Sequence, residues 1–101
     1  MTENRISVDF NEMLAPDLVL LSKTDFREDS SGKTVHLSEG LLVYIYEADI
    51  DDDGLPDNLI AQGLVERRPD GVNWGRVAKW CCRIDGGGVK HESDVRAAGR
   101  S

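Results

Sequence analysis

The residues best suited to chemistry are four aspartates in one short stretch, Asp49, Asp51, Asp53 and Asp57, within Asp49-Ile50-Asp51-Asp52-Asp53-Gly54-Leu55-Pro56-Asp57. Carboxylates at alternate positions followed by a glycine are the first half of a calcium loop, in which positions one, three and five converge on the ion and a Glu at twelve closes the site. Asp49, Asp51, Asp53 and Gly54 meet the early requirements, Leu55 offers a carbonyl and Asp57 stands at position nine. Position twelve is Ile60, which has no ligating atom. The stretch also lies between two predicted strands rather than two helices, and Asp, Gly, Pro and Asn are what an exposed β-connection favours. Two readings therefore stand side by side: an acidic strand connection, or a weak Ca2+ loop. No other cofactor is implied.

Nucleophilic or acid–base chemistry would draw on His36, His91, Cys81 and Cys82. No nucleophile motif surrounds them, and the adjacent cysteines lack the Cys-x-x-Cys spacing of zinc and redox sites. Successive side chains of a strand point to opposite faces, so Cys81 and Cys82 are badly placed to bond to each other. The alternation Ala78, Trp80, Cys82, Ile84 predicts that Cys82 is buried and Cys81 faces outward. Gly86-Gly87-Gly88 lacks the Lys-Ser or Lys-Thr of a phosphate-cradling loop. The expectation is a protein that is not an enzyme; a small enzyme or ligand-binding barrel using His36, Cys81 or the acidic loop is the remote alternative.

Tyr44 and Tyr46 are the candidate partner-binding residues. In Leu41 to Ala48 one face carries Leu41, Val43 and Ile45, and the other Leu42, Tyr44 and Tyr46. The first set reads as core. Exposed aromatics rimmed by charge are a usual protein-contact surface, and the long polar segment Lys23 to Lys33 could line the same patch. A sheet edge offers a second route, by strand addition to a partner or a second copy.

Composition narrows the classes further. The chain has 101 residues, 40% hydrophobic and 31% charged, with a net charge of −7. That suits one globular domain with a single modest core. Fourteen acids stand against four bases through Asp57, and five against eight after it. An acidic surface repels phosphate backbones and supplies no counterion release. Nucleic acid is therefore not an expected partner, although Arg67, Arg68, Arg76, Lys79 and Arg83 could form a local basic strip. No apolar run reaches the roughly 18 residues of a membrane span, and Met1-Thr2-Glu3-Asn4-Arg5 does not resemble a secretory signal. The expected location is cytoplasmic, where both thiols stay reduced.

The elements that must position these residues are mostly β. Ile6, Val8 and Phe10 alternate with polar neighbours in an N-terminal lead-in, 1–16. Leu18 to Leu21 is a continuous apolar run of strand length, and Leu41 to Ala48 is the strongest strand, expected to lie centrally or to be covered by a loop on its second face. Asn58 to Arg68 is a further strand in which Gly63 marks a bend or bulge. Pro69-Asp70-Gly71 predicts a tight turn, and Trp74 to Ile84 the return strand. The domain spans 17–92, with a flexible tail at 93–101.

A long first loop, a middle loop and a tight distal hairpin in that order resemble an SH3-like small barrel over residues 17–92. The resemblance is one of layout, and it implies a small barrel or a strongly bent antiparallel sheet of about five strands. Tyr44, Tyr46, Trp74 and Trp80 do not reproduce the aromatic-Pro groove of that family, so no functional residue carries over. The functional expectation is an all-β, non-catalytic protein-interaction module that binds a protein partner or self-associates.

Overall fold

The computed structural model describes residues 4–68 and 79–94. Among these residues the strands are β1 (Ile6–Ser7), β2 (Met13–Ala15), β3 (Leu18–Ser22), β4 (Phe26–Glu28), β5 (Thr34–His36), β6 (Leu42–Glu47), β7 (Leu59–Arg67), β8 (Trp80–Ile84) and β9 (Lys90–His91). Seven of them make one sheet in the order β1-β6-β7-β8-β3-β2, with β9 on β7. That sheet curls into a half-barrel. β4 and β5 form a separate two-stranded ribbon.

The inner face follows from strand alternation. Val19 and Leu21 of β3, Val43 and Ile45 of β6, Val65 of β7, and Trp80, Cys82 and Ile84 of β8 meet in one buried cluster. The N-terminal residues belong to it. Ile6 and Val8 are buried there, with Phe10 and Met13 packed against them, so β1 and β2 add strands to the sheet beyond those expected from the central run. The apolar run of β3 is buried on both faces, because Leu18 and Leu20 turn the other way into a second cluster with Cys81, covered by Leu14 and Ala15. This corrects the prediction for Cys81. It does point away from Cys82, but the residues beside β3 bury it completely.

The ribbon closes the gap in the curl. The polar segment Lys23 to Lys33 is a hairpin arm, its tip shaped by the Asp29 carboxylate accepting from Ser31 N and Lys33 N. Arg27 of β4 donates from Nη1 to the Leu21 carbonyl on β3 and from Nη2 to the Ser7 carbonyl on β1, the latter at 2.6 Å. One guanidinium thus ties two strands that are not neighbours in the sheet order. Beside it Leu37 plugs the core at 1% exposure, its N–H donating to the Asp25 carbonyl at 2.7 Å. Asp25 in turn accepts from Trp80 Nε1 at 2.8 Å.

β6 is an interior strand, flanked by β1 and β7. It sits one strand from the edge, paired along its whole length with β7 but with β1 only at Ile45 and Tyr46. A bulge precedes β6 at Gly40 and Leu41. Gly40 N donates to the Val65 carbonyl while Val65 N donates to the Leu41 carbonyl, so two residues oppose one. Pro69-Asp70-Gly71, Trp74 and the first part of the return strand lie outside the described residues; from Trp80 onward that strand pairs antiparallel with β7, Val65 opposite Cys82.

Gly63 sits against β8 with no room for a side chain. A Cβ there would stand 2.0 Å from the Arg83 carbonyl oxygen and 3.0 Å from Cys82 Sγ. Gly63→Ala would ordinarily gain from reduced unfolded-state entropy, but the steric clash reverses the sign. The expected loss is about 2 kcal/mol, read as a lower urea midpoint; an unchanged or higher midpoint would refute the close approach.

Candidate binding site

Tyr44 lies where three local features meet. On the outer face of the sheet, Leu42 opposes Leu64, Tyr44 opposes Gln62 and Tyr46 opposes Ile60. Leu42 and Leu64 are 52% and 47% exposed, an uncovered cross-strand apolar pair. β8 pairs with β7 at Gly63–Arg67 and β9 pairs with it at Leu59 and Ile60. The glycine loop between β8 and β9 therefore leaves the ladder beside Ala61 and Gln62.

Asp85 shapes that loop. Its Oδ1 accepts from Gly87 N at 2.9 Å and its carbonyl from Gly88 N at 3.1 Å. Its Oδ2 accepts from Gln62 Nε2 at 2.7 Å, fixing the loop to β7. Gly88 adopts φ +67°, a conformation that side-chain-bearing residues rarely hold. Between loop and sheet lies a cleft of about 340 Å³ lined by Arg5, Tyr44, Ile60, Gln62, Asp85 and Lys90, together with Ala61 and the loop glycines. Arg5 reaches from before β1 to Glu92 beyond β9, Nη1 to Oε2 at 2.9 Å, and both side chains are largely covered, at 12% and 22% exposure. This ion pair spans the end of the sheet and frames the cleft. Lys90 has no ion-pair partner among the described residues.

Of the two tyrosines predicted to bind a partner, Tyr44 lines the cleft and Tyr46 does not. Tyr46 stands where β1 pairs with β6, opposite Ser7, its carbonyl accepting from Val8 N at 2.9 Å. The polar segment that could have joined them is instead the ribbon of β4 and β5.

The acidic residues are distributed rather than convergent. Asp49 Oδ2 contacts His91 Nε2 at 3.2 Å. Asp57 is 8% exposed and accepts from Ser93 N and Ser93 Oγ at 2.9 and 2.8 Å. Asp51 Oδ1 accepts from the backbone N–H of Asp53 and of Leu55, each at 2.9 Å. Gly54 takes φ +80° to make the turn. Asp53 remains exposed. Among the described residues no group of three or more His, Cys, Asp or Glu side chains is arranged to hold a metal ion.

The other chemical candidates are also apart. His36 is exposed and stacks on Phe26, centroids 4.8 Å apart, whereas His91 engages Asp49. Two residues of the basic strip are ion-paired: Lys79 with Asp25 at 2.7 Å, and Arg83 with Asp17 and Glu66 at 2.9 and 3.1 Å. The hydrogen bonds from Lys79 and then Trp80 hold the Asp25 carboxyl below its usual range. Arg67 lies over the Trp80 ring, 5.3 Å from its centroid. No helix among the described residues is long and apolar enough to cross a membrane.

The chain matches no family model, no curated protein and no solved structure. Its site is defined by its own geometry. Arg5, Gln62, Asp85 and Lys90 were not legible as neighbours in the sequence, because each is brought in by a different segment. The signal that pointed toward them was Gly86-Gly87-Gly88, a run that must form an irregular loop somewhere along the sheet.

Burial pushes the pKa of the Cys82 thiol up to about 12, and raises that of Cys81 as well. Thiolate is the reactive form, so neither cysteine should react with a thiol reagent at neutral pH until urea unfolds the chain. Because the folded state holds the Cys82 proton more tightly, stability should be undiminished by this group below pH 9.0 and fall as pH rises toward 12. Cys82→Ala should flatten that alkaline slope. Rapid labelling of the native protein would contradict the assignment.

Proposed function

We propose that this chain is a non-catalytic binding module that engages a protein partner through the outer face of β6 and β7, with Tyr44 at the contact. The observation that carries this reading is the juxtaposition of the Tyr44 cleft with the exposed Leu42 and Leu64 pair. Aromatic side chains partly sunk in a pocket and surrounded by apolar area are typical anchors of protein interfaces, since they bury much surface at small entropic cost. A cytoplasmic protein with reduced, buried thiols fits this reading, and the separation of His36, His91 and Cys81 supports a role without catalysis.

Ca2+ binding at Asp49, Asp51, Asp53 and Asp57 has less support. Three of these carboxylates already serve other groups: Asp49 meets His91, Asp51 its own turn and Asp57 Ser93. A cation drawing them together would have to break those contacts. The paired carboxylates act here as structural acceptors at a strand connection.

The interaction reading is tested by recovery of a partner on the immobilised protein from an extract of its source cells. Tyr44→Ala should weaken recovery about ten-fold while leaving the circular dichroism spectrum unchanged, and Tyr46→Ala should have the smaller effect because Tyr46 lies outside the cleft. Equal recovery by folded Tyr44→Ala and the unmodified protein would overturn the reading.

A further inference from the structure

We infer that the occupant of the Tyr44 cleft is the Asp49–Asp57 loop of a second copy of this chain, each copy seating its loop in the cleft of the other about a two-fold axis. This rests on the proposed binding face and names its partner.

Apolar exposure is concentrated in the right places. The large hydrophobic residues left exposed are Phe26, Leu42, Ile50, Leu55, Leu64 and Val89. All but Phe26 belong to β6, β7, the loop joining them, or the glycine loop beside them. Ile50 and Leu55 are the most exposed, at 65% and 60%, and they flank the acidic run. Apolar side chains so grouped are a mark of a contact surface.

Charge complements this distribution. Lys90 places on the cleft an ammonium with no ion-pair partner among the described residues, in a chain whose net charge is −7, while the Arg5 beside it is already paired with Glu92. The one carboxylate of the cleft lining, Asp85, is occupied by Gln62 and Gly87. On the loop, Asp52 and Asp53 have carboxylates with no hydrogen bond or ion pair among the described residues. The loop therefore offers two apolar side chains and two unpaired carboxylates, and the cleft offers an apolar floor of Tyr44 and Ile60 with an unpaired ammonium at its rim.

The loop is also held ready. Ile50 and Pro56 form a β-bridge, Asp51 N donates to the Leu55 carbonyl at 2.8 Å and Asp57 N to the Asp49 carbonyl at 2.9 Å. Its two ends are fastened by Asp49 to His91 and Asp57 to Ser93. A pre-shaped tip loses little entropy on docking, and its fastened ends keep it from folding back over its own sheet. Loop and cleft sit at the same end of the same two strands, since the residues lining the cleft on β7 begin at Ile60, one residue after the loop rejoins the sheet at Leu59. A donor and an acceptor side by side on one surface suit a closed two-fold pair, in which both contacts form at once.

Sedimentation velocity of the purified chain from low micromolar to millimolar concentration tests this, with circular dichroism to confirm that each variant folds. The unmodified protein should form a dimer that weakens with salt. Lys90→Glu should weaken it about ten-fold, and so should the double variant Asp52→Lys, Asp53→Lys, because each places like charges at both contacts. Mixing the two variants should restore the dimer, since the mixed pair has opposite charges at both contacts. A chain that stays monomeric throughout the range overturns the inference and leaves the Tyr44 face to a different protein, which the recovery experiment reads separately. A dimer indifferent to both charge reversals overturns it as well.

Discussion

The fold depends on closing a sheet that does not close by strand pairing. Along the order β1-β6-β7-β8-β3-β2 the curl brings β1 toward β3 without a ladder between them. A guanidinium fills the role of that missing ladder: Arg27 donates to Ser7 and Leu21 carbonyls, one from each side. Two acceptors that would otherwise stand at the mouth of an apolar core are satisfied by one planar group. Leu37 can then be buried beneath the ribbon, and Ile6 and Val8 can pack from the far side.

That arrangement carries an electrostatic cost. Burial lowers the pKa of the Arg27 guanidinium, although a guanidinium remains charged throughout the ordinary pH range. It has no carboxylate partner among the described residues, so backbone carbonyls alone receive the charge-assisted hydrogen bonds. The choice of arginine follows from reach and geometry. A lysine ammonium is a point charge, while the guanidinium fork can address two carbonyls that face one another across a gap. The Asp25, Trp80 and Lys79 contacts fix the start of the same ribbon to β8, so the closure is attached at both ends.

Closing the curl on its inner side leaves the two ends of the outer face unlike one another. Near β3 the outer face is dry, with Leu18, Leu20 and Cys81 beneath Leu14 and Ala15. Near β6 it is open, with Leu42 and Leu64 in solvent and Tyr44 in a cleft. Between them the Arg83 guanidinium joins Glu66 and Asp17. The N-terminal segment accounts for the difference: it spends its apolar residues on the core and the β3 corner, and contributes only the Arg5 side chain near Tyr44. A small domain has too little chain to cover both faces of its sheet, and the uncovered part is where binding is available.

Much of the local structure was legible from short-range pattern. The alternation of β6 separated Val43 and Ile45 from Tyr44 and Tyr46, the run Leu18 to Leu21 announced a strand, and Asp-Gly in the acidic stretch announced the turn at Gly54. Side-chain period and turn chemistry are local properties, written in consecutive residues. The burial of Cys81, the pairing of β1 along β6, the bridging by Arg27 and the meeting of Arg5, Tyr44, Asp85 and Lys90 were decided by tertiary structure. Each depends on which distant segments become neighbours, and that is set by how the sheet curls and what is left to cover it, a long-range packing outcome that no window of sequence contains.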